Sequence, residues 1–316
     1  MNILKEDQEV DRQCVGILGA GAIGAYLVMG LSEKYGDRLW VIADGERKKR
    51  LETEGLCIND KNYPLCVKTP YEAAGVDVLF VCVKYNALPA ALKDIETVVG
   101  EHTVVVSLLN GIDSEEIIGA RIGTERLVRA LIRIASYREG NTIHFPLPSA
   151  PMGIFVGVDV PDSKSDPRVQ QVSEVLSGSG LIYHLSDNIL RDVWEKFSLN
   201  IARNLPQAIL GVGVGAYDDS SYVKDLSEKL RDEVAAVARA KGIEIRGELP
   251  RSDAKPAQHY STLQDLDAGR DTEIEMFSGA LIRMGREVGV ACPYNEVVYD
   301  LIKALEEKNK GKFDYV

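Results

Sequence analysis

The sequence has 316 residues, of which 45% are hydrophobic and 27% charged, and its formal net charge is −11. This length is sufficient for two domains with buried cores, whereas the acidic charge argues against nucleic acid or an anionic membrane surface as a partner. No apolar run is long enough to span a membrane, and the polar residues 1–12 are typical of a short disordered lead-in rather than of a signal peptide. We therefore expect a cytoplasmic protein.

The cysteines and histidines are scattered along the chain, without the close spacing that metal ligands show. Two of the five cysteines, Cys14 and Cys82, lie in apolar runs that are predicted as strands. We predict buried free thiols in a reducing compartment and no metal site.

An apolar run at residues 14–18 leads into a Gly-x-Gly-x-x-Gly motif, and a helix is predicted after it over residues 22–34. In a dinucleotide site, the first glycine allows a tight turn, the second lets a pyrophosphate approach the backbone, and the third lets the helix pack closely on the sheet. The N–H groups at the helix N-terminus then bind the phosphates. This context predicts a cofactor site, and the alternative is a glycine-rich turn without a ligand. The predicted cofactor contacts are Gly19, Ala20, Gly21, Ala22, Ile23 and Gly24.

A second strand is predicted over residues 39–43 and is followed by Asp44, where the adenosine ribose of the cofactor is expected. A carboxylate at this position accepts hydrogen bonds from the ribose hydroxyls and repels a 2′-phosphate, which favours NAD over NADP. The cationic residues 47–50 come next, and they form either a solvated helix face or a group that neutralises a phosphate. We give more weight to Asp44 than to this run.

Two further apolar runs predict strands at residues 76–83 and 102–109, which are followed by Lys84 and by Asn110-Gly111. Ligands bind at the carboxyl ends of parallel strands, so Asn110 either holds the nicotinamide end of the cofactor or only forms a turn. Extended runs at residues 127–134, 142–145 and 153–158 are predicted to complete the sheet. A helix at residues 168–177 and a strand at residues 181–185 follow.

From about Asp187 onward the pattern is almost entirely helical, with breaks near residues 211–215, 247–257 and 289–293. The predicted fold class is an α/β Rossmann domain with a doubly wound, mainly parallel sheet, followed by an all-α domain. We place the dinucleotide-binding domain at residues 1–187 and a helical domain at residues 188–316.

The first helix of the second domain, predicted over residues 193–206, carries two stripes at a spacing of four residues. One stripe is apolar, and the other consists of Lys196, Asn200 and Asn204, which therefore share one face. This polar stripe is either a solvated face or the lining of a site for a polar ligand. Asparagine is a poor helix former, which favours the lining.

Over residues 19–307 the chain resembles the ketopantoate reductase (2-dehydropantoate 2-reductase) family. The resemblance rests on six motifs in order: Gly-Ala-Gly-Ala-Ile-Gly at 19–24, Val83-Lys84, Leu109-Asn110-Gly111-Ile112, Trp194-x-Lys196 followed by Asn200 and Asn204, Ser261-Thr262-Leu263-Gln264-Asp265, and Thr272-Glu273-Ile274. The glycine motif is generic. The motifs from Trp194 onward are specific, and Ser-x-x-Gln-Asp with Thr-Glu-Ile argues against other two-domain Rossmann families such as 3-hydroxy-acid dehydrogenases.

The resemblance implies an enzyme that reduces a 2-oxo acid by hydride transfer from a nicotinamide. It implies that Lys196 is the general acid, and that Glu273 orients this lysine and the nicotinamide ribose. The implied substrate contacts are Asn110, Asn200, Asn204 and Ser261, and the cofactor contacts added to the glycine motif and Asp44 are Lys84, Asn110, Ser136 and Glu273. An ammonium group suits this reaction because hydride addition to a ketone builds negative charge on the carbonyl oxygen.

The chain departs from the resemblance at Asp44-Gly45, where many members have an arginine that grips the 2′-phosphate. Members usually take NADP, whereas Asp44 favours NAD. Ketopantoate is the first substrate expected, as a step towards pantothenate and coenzyme A. One alternative is an NAD-dependent reductase or dehydrogenase of another branched or aromatic 2-oxo or D-2-hydroxy acid, and a second is a non-catalytic NAD(P)-sensing protein. The resemblance also implies that the helical domain at residues 188–316 serves substrate binding and dimerisation, and that the protein is a homodimer.

Overall fold

The computed structural model describes residues 13–146, 153–246 and 255–315, so the predicted lead-in and most of the break at 247–257 lie outside the described residues. The chain divides into two compact units. The first comprises Met1–Leu109 and Ser114–Ile189, and the second comprises Asn110–Asp113 and Leu190–Val316. Each unit is described by itself below.

An eight-stranded sheet forms the centre of the first unit. The strands of this unit are β1 (Val15–Leu18), β2 (Leu39–Ile42), β3 (Leu56–Ile58), β4 (Lys61–Tyr63), β5 (Cys66–Lys68), β6 (Val78–Val81), β7 (Val104–Ser107), β8 (Leu127–Arg133), β9 (Tyr137–Glu139), β10 (Thr142–His144), β11 (Gly153–Gly157) and β12 (Tyr183–Leu185). The order in the main sheet is β12-β11-β8-β7-β6-β1-β2-β5. Every neighbouring pair is parallel except β8 and β11, which run antiparallel.

A second, four-stranded sheet has the order β4-β3-β10-β9. The prediction that residues 142–145 complete the main sheet is therefore wrong, since β10 pairs with β3 and β9. The physical reason is the burial of Ile58 and Ile143, which join the apolar core beside the main sheet. A run of three extended residues carries no signal that tells which sheet it joins.

Helices cover both faces of the main sheet: α1 (Ala22–Tyr35), α2 (Gly45–Glu54), α3 (Leu88–Val98), α4 (Ser114–Ile122) and α5 (Pro167–Leu176). One apolar cluster joins the sheet to α1 and α5, and another joins the opposite face to α3 and α4. The central strands β1, β6 and β7 are fully buried, as expected for strands that are covered on both sides. This arrangement confirms the predicted doubly wound, mainly parallel sheet.

The second unit consists of helices: α6 (Ile189–Leu210), whose first residue belongs to the first unit, α7 (Ala216–Asp219), α8 (Ser221–Ala240), α9 (Ser261–Asp267), α10 (Ala280–Val288) and α11 (Pro293–Asn309). A π-helical turn, Glu275–Gly279, precedes α10. The core of the second unit includes the buried side chains of Val234 on α8, Leu281 on α10 and Ile302 on α11. This confirms the predicted class of the second part of the chain.

Two further properties concern the part of the chain that the structure describes. None of its helices combines the length and the apolar character needed to cross a membrane. Its five cysteines are all free, with Cys82 and Cys292 buried and the other three half-buried. Burial raises the pKa of the Cys82 thiol, which keeps this group protonated and inert.

Candidate active site

The carboxyl ends of β1, β2, β6 and β8 lie at one edge of the main sheet, because these strands are parallel. The residues that follow them include Gly19, Asp44, Lys84 and Ser136, all of which were predicted as cofactor contacts. The fold thus brings the strand ends that bear these four residues to the edge where open parallel sheets bind ligands.

The three glycines of the motif differ in what surrounds them, and so in why each position is a glycine. Gly19 has φ +113°, and a β-carbon there would lie 2.7 Å from the backbone of Cys82. A β-carbon at Gly24 would lie 1.9 Å from the carbonyl oxygen of Gly19. At Gly21, by contrast, no atom lies within 4 Å of an added β-carbon. The fold therefore requires Gly19 and Gly24, whereas the open space at Gly21 fits the close approach of a ligand to the backbone.

The N-terminus of α1 is open to an anion. Gly21 is the N-cap and gives no side-chain hydrogen bond to the first turn, which also contains no acidic residue. The backbone N–H groups of Ala22 and Ile23 lie in this first turn, whose N–H groups have no carbonyl of the same helix to bond to. These are the features that a pyrophosphate site at a helix N-terminus needs.

Asp44 caps α2, and its Oδ1 accepts a hydrogen bond from the backbone N–H of Gly45 at 2.6 Å. Asp94 on α3 is close enough to Asp44 for the two carboxyl groups to interact electrostatically. Burial raises the pKa of Asp94, and the negative charge of Asp44 raises it further. Two carboxyl groups therefore lie near the position predicted for the adenosine ribose. The helical pattern around Asp94 gave no signal of this proximity, so the sequence did not predict it.

Half of the cationic run after Asp44 is already paired with carboxylates. Lys48 Nζ lies 2.7 Å from Glu72 Oε2, and Lys49 Nζ lies 2.7 Å from Glu46 Oε1. The hydrogen bonds from Lys48 and from Thr69 lower the pKa of Glu72 to about 2, so this carboxyl group is charged at neutral pH. Lys48 and Lys49 are thus engaged on the α2 surface, which fits the solvated-face alternative for these two residues.

The loop Asn110–Asp113 follows β7 but belongs to the second unit. Asn110 Oδ1 accepts a hydrogen bond from Lys196 Nζ at 2.6 Å. Gly111 has φ +94° and packs against Met276 so closely that an added β-carbon would lie 2.5 Å from Met276 Cγ. The structure therefore brings together Asn110 and Lys196, two residues that the sequence placed in the site from separate motifs.

The polar stripe of α6 is not an exposed surface. Lys196 and Asn200 are half-buried, and Asn204 is only 6% exposed. Within residues 13–146, 153–246 and 255–315, the amide groups of Asn200 and Asn204 make no side-chain hydrogen bond. Buried amides normally find partners, so these two are suited to bind a polar ligand.

Gln207 is a functional candidate that sequence reasoning missed. It is fully buried, and its Oε1 accepts a hydrogen bond from the backbone N–H of Tyr260 at 2.6 Å. Its Nε2 donates to the carbonyl oxygen of Gln258 at 3.0 Å. These bonds attach the backbone just before Ser261, the first residue of α9, to the helix that carries Lys196. A signal existed, because Gln207 lies three helical turns after Lys196 on the same face.

The buried carboxylate of Glu306 holds Thr272, the residue before Glu273, in place. Glu306 Oε1 accepts hydrogen bonds from the backbone N–H of Thr272 at 2.8 Å and from its Oγ1 at 2.6 Å. Thr272 Oγ1 in turn accepts from the backbone N–H of Ile274 at 3.2 Å. A salt bridge to Glu306 raises the pKa of Lys303. Glu306 therefore fixes the backbone on both sides of Glu273, a role that its helical position did not reveal.

The described residues contain no group of three or more His, Cys, Asp or Glu side chains arranged to hold a metal ion. The groups gathered around α6 are instead an ammonium, three amides and, on α9, a hydroxyl. Such a set can donate hydrogen bonds to a carbonyl oxygen or a carboxylate and can supply one proton.

Two family models match the chain. The one described as "Ketopantoate reductase PanE/ApbA" matches residues 15–149, and the one described as "Ketopantoate reductase PanE/ApbA C terminal" matches residues 188–306. Among curated proteins, the 2-dehydropantoate 2-reductase of Archaeoglobus fulgidus is 29% identical over 302 residues, which cover 93% of this chain and 98% of that protein.

Two solved structures extend the comparison. A ternary structure of D-mandelate dehydrogenase with NADH and anilino(oxo)acetate has a TM-score of 0.81 at 26% identity, and the match covers 94% of this chain and 100% of that one. A PanE/ApbA family ketopantoate reductase from Ralstonia eutropha JMP134 has a TM-score of 0.78 at 24% identity, with the same coverage. The second likeness concerns the fold alone.

The glycine motif yields a prediction that separates folding from ligand binding. We expect Gly24→Ala to lower the free energy of unfolding by about 1–3 kcal/mol, because the added methyl group collides with backbone. We expect Gly21→Ala to leave stability unchanged and to weaken binding of the dinucleotide by about tenfold or more. Thermal unfolding and fluorescence titration with NADH and NADPH measure the two effects. If Gly21→Ala bound both dinucleotides as the wild type does, this turn would not be the pyrophosphate site.

Proposed function

Because this chain belongs to the ketopantoate reductase family, we propose that it is a 2-dehydropantoate 2-reductase, which reduces ketopantoate to pantoate for the synthesis of pantothenate and coenzyme A. The observation that carries this proposal is the hydrogen bond between Lys196 and Asn110. Asn200 and Asn204 lie on the same helix face, and their amides make no side-chain hydrogen bond with the residues that the structure describes. A donor that can protonate an alkoxide thus lies on one helix face with groups that can bind the rest of a hydroxylated oxo acid.

The nicotinamide, when bound, supplies the hydride that attacks the 2-oxo carbon. As that bond forms, negative charge develops on the carbonyl oxygen, and the Lys196 ammonium stabilises it and transfers a proton from Nζ to this oxygen. The product is the hydroxy acid, and the neutral amine takes up a proton from water afterwards. The Asn110 carbonyl oxygen holds Nζ in place through the 2.6 Å hydrogen bond.

The remaining site residues bind and orient the substrate in this proposal. Asn200 and Asn204 bind the substrate hydroxyl, and Ser261 donates to the carboxylate from the start of α9. Gln207 supports Ser261 by fixing the preceding backbone. Glu273 orients Lys196 and the nicotinamide ribose from the segment that Glu306 anchors.

We propose NAD rather than NADP as the cofactor. Asp44 and the nearby Asp94 repel a 2′-phosphate, and two of the four cations that follow Asp44 already pair with carboxylates. The same feature supports the alternative function, an NAD-dependent reductase of another branched or aromatic 2-oxo acid. A non-catalytic NAD(P)-sensing role is less well supported, because it does not need Lys196 held against Asn110.

The test of the proposed function is steady-state reduction of ketopantoate with NADH and NADPH, followed by nicotinamide absorbance. We expect turnover, and we expect Lys196→Ala to lower kcat by about 10²–10⁴-fold, the range for loss of a general acid. Cofactor affinity of this variant stays near wild type. Lys224→Ala, which removes an exposed lysine of α8, is the matched control. Full turnover by Lys196→Ala would refute the assignment of the acid, and no turnover of ketopantoate by the wild type would favour the alternative substrates.

Cofactor choice is tested by charge reversal at the cap of α2. We expect Asp44→Arg to raise the NADPH/NADH ratio of kcat/KM by about tenfold or more, because a charge-assisted phosphate contact replaces a repulsion. Glu54→Arg makes the same change of charge at the other end of α2 and leaves the ratio unchanged. An unaltered ratio in Asp44→Arg would show that Asp44 does not face the ribose.

We also propose that the chain forms a homodimer through α11. This helix exposes Tyr294, Val297 and Leu301, and these side chains lie on one face at the spacing i, i+3, i+7. A stripe of this kind is typical of a helix–helix interface. Light scattering on a sizing column is expected to give the mass of two chains for the wild type and of one chain for Leu301→Glu. Val160→Glu, at an exposed apolar residue of the first unit, keeps the wild-type mass. A wild type that elutes as one chain contradicts the proposal.

A further inference from the structure

Arg203 lies on the polar face of α6 but belongs to none of the motifs that define the site. It follows Lys196 by seven residues and Asn200 by three. At 3.6 residues per turn, the three side chains project within about 60° of one another around the helix axis. Lys196, Asn200 and Arg203 are also all half-buried, whereas most of α6 is buried. Arg203 therefore shares the accessible face with the proposed general acid.

Among the described residues, no carboxylate forms a salt bridge with the guanidinium of Arg203. Its Nε is buried and has no hydrogen-bond acceptor there, which is also true of Arg133 Nε in the first unit. Arg129, Arg168 and Arg270, by contrast, each pair with a carboxylate. Leaving a buried donor unsatisfied destabilises a fold, so an unpaired group of this kind needs an explanation.

A tyrosine holds the guanidinium in position. Its central carbon lies 4.5 Å from the ring centroid of Tyr217, and the Tyr217 hydroxyl donates a hydrogen bond to the carbonyl oxygen of Arg203. Tyr217 is 5% exposed, and burial raises its pKa, which keeps the phenol neutral. The ring lies over one face of the guanidinium, so hydrogen bonds can form only at the edge that bears its N–H groups. The Nε edge of an arginine fits a carboxylate with two parallel hydrogen bonds.

The position of Arg203 along α6 determines which part of a substrate it meets. Seven residues correspond to about 10 Å along the helix axis, and long side chains lean back towards the N-terminus by part of a turn. Because Lys196 and Arg203 lean in the same direction, their head groups stay about two helical turns apart along this face. A 2-oxo acid whose carbonyl oxygen lies at Lys196 meets Arg203 with its far end, not with the carboxylate next to the carbonyl.

We propose that Arg203, together with the amides of Asn200 and Asn204, binds the end of the oxo acid farthest from the reacting carbonyl and is the residue of the three that determines specificity there. It prefers a carboxylate at that end over a hydroxyl, and a hydroxyl over a methyl group. The order follows from acceptor strength, because a guanidinium forms its strongest hydrogen bonds with an anion. This inference rests on the proposed 2-oxo acid reductase function, and it extends the substrate class to dicarboxylic 2-oxo acids.

The test compares three 2-oxo acids that differ at the far end: 2-oxoglutarate with a carboxylate, ketopantoate with a hydroxyl, and 4-methyl-2-oxopentanoate with methyl groups. We expect Arg203→Met to lower kcat/KM about 10- to 100-fold for 2-oxoglutarate and several-fold for ketopantoate, and to leave it unchanged for 4-methyl-2-oxopentanoate. Arg203→Lys keeps part of the preference for 2-oxoglutarate. Arg38→Met, which also removes a guanidinium from a tyrosine ring but at the opposite edge of the sheet, leaves all three values unchanged.

An equal loss for all three substrates would overturn the assignment and would assign Arg203 a structural role against Tyr217. A binding measurement tests the same assignment in variants whose turnover is too low to measure. By calorimetry with oxidised cofactor present, we expect N-oxalylglycine, an inert analogue of 2-oxoglutarate, to bind more tightly than oxamate to the wild type but not to Arg203→Met. Equal affinities in the wild type would refute the inference.

The two proposals fail in different ways. If the wild type reduces none of the three acids but binds N-oxalylglycine through Arg203, the proposed reaction is wrong and the assignment of Arg203 stands. If ketopantoate is reduced and Arg203→Met lowers all three values alike, the reaction stands and the assignment is wrong.

Discussion

The hydrogen bond between Lys196 and Asn110 is the interaction on which the proposed chemistry depends. An ammonium group on a flexible stem has many positions open to it, and the hydrogen bond to the Asn110 amide oxygen at 2.6 Å restricts them. The Asn110 amide thus holds Nζ at a defined position from which a proton can pass to a substrate oxygen.

The loop that carries Asn110 is itself held at three points. Besides the bond to Lys196, Gly111 packs on Met276 in the π-helical turn, and Asp113 Oδ2 lies 3.2 Å from Arg283 Nη2 on α10. The left-handed conformation of Gly111 and the closeness of Met276 both exclude a side chain there. The position of Asn110 thus depends on packing within the helical unit as much as on the strand that precedes it.

Helix α11 supports the segment around Glu273 from both of its ends. At its N-terminus, Glu233 of α8 accepts hydrogen bonds from the backbone N–H groups of Tyr294 and Asn295, and Asn295 Oδ1 accepts one from Ser278 in the π-helical turn. Near its C-terminus, Glu306 accepts two from Thr272. Burying a carboxylate is costly unless several donors bond to it. Glu233 and Glu306 both accept such bonds, and the donors belong to Thr272 and to the N-terminus of α11, which position the segment around Glu273.

The sequence predicted the glycine turn, the parallel sheet and the second, helical part because each depends on short-range patterns. Gly24 must be glycine for a reason that lies five residues away, at the carbonyl oxygen of Gly19. Residues such as Asp94, Gln207 and Glu306 were not found, because their roles arise from partners 50, 53 and 34 residues away in sequence. Helical periodicity places Gln207 on the same face as Lys196, but it does not identify the distant residue that any of these three contacts. The assignment of β10 to the main sheet was wrong for the same reason, since strand partners are set by tertiary packing.

The chain has a net charge of −11, but charge is distributed differently at the proposed ribose site and at the proposed substrate site on α6. At the edge of the sheet, Asp44 and Asp94 place negative charge where a ribose is expected, and the nearby Lys48 is neutralised by Glu72. On α6, Arg203 has a buried Nε with no acceptor among the described residues, although carboxylates outnumber cations in this chain. The proposed role of Arg203, which is to bind the far end of an oxo acid, supplies an acceptor for this group.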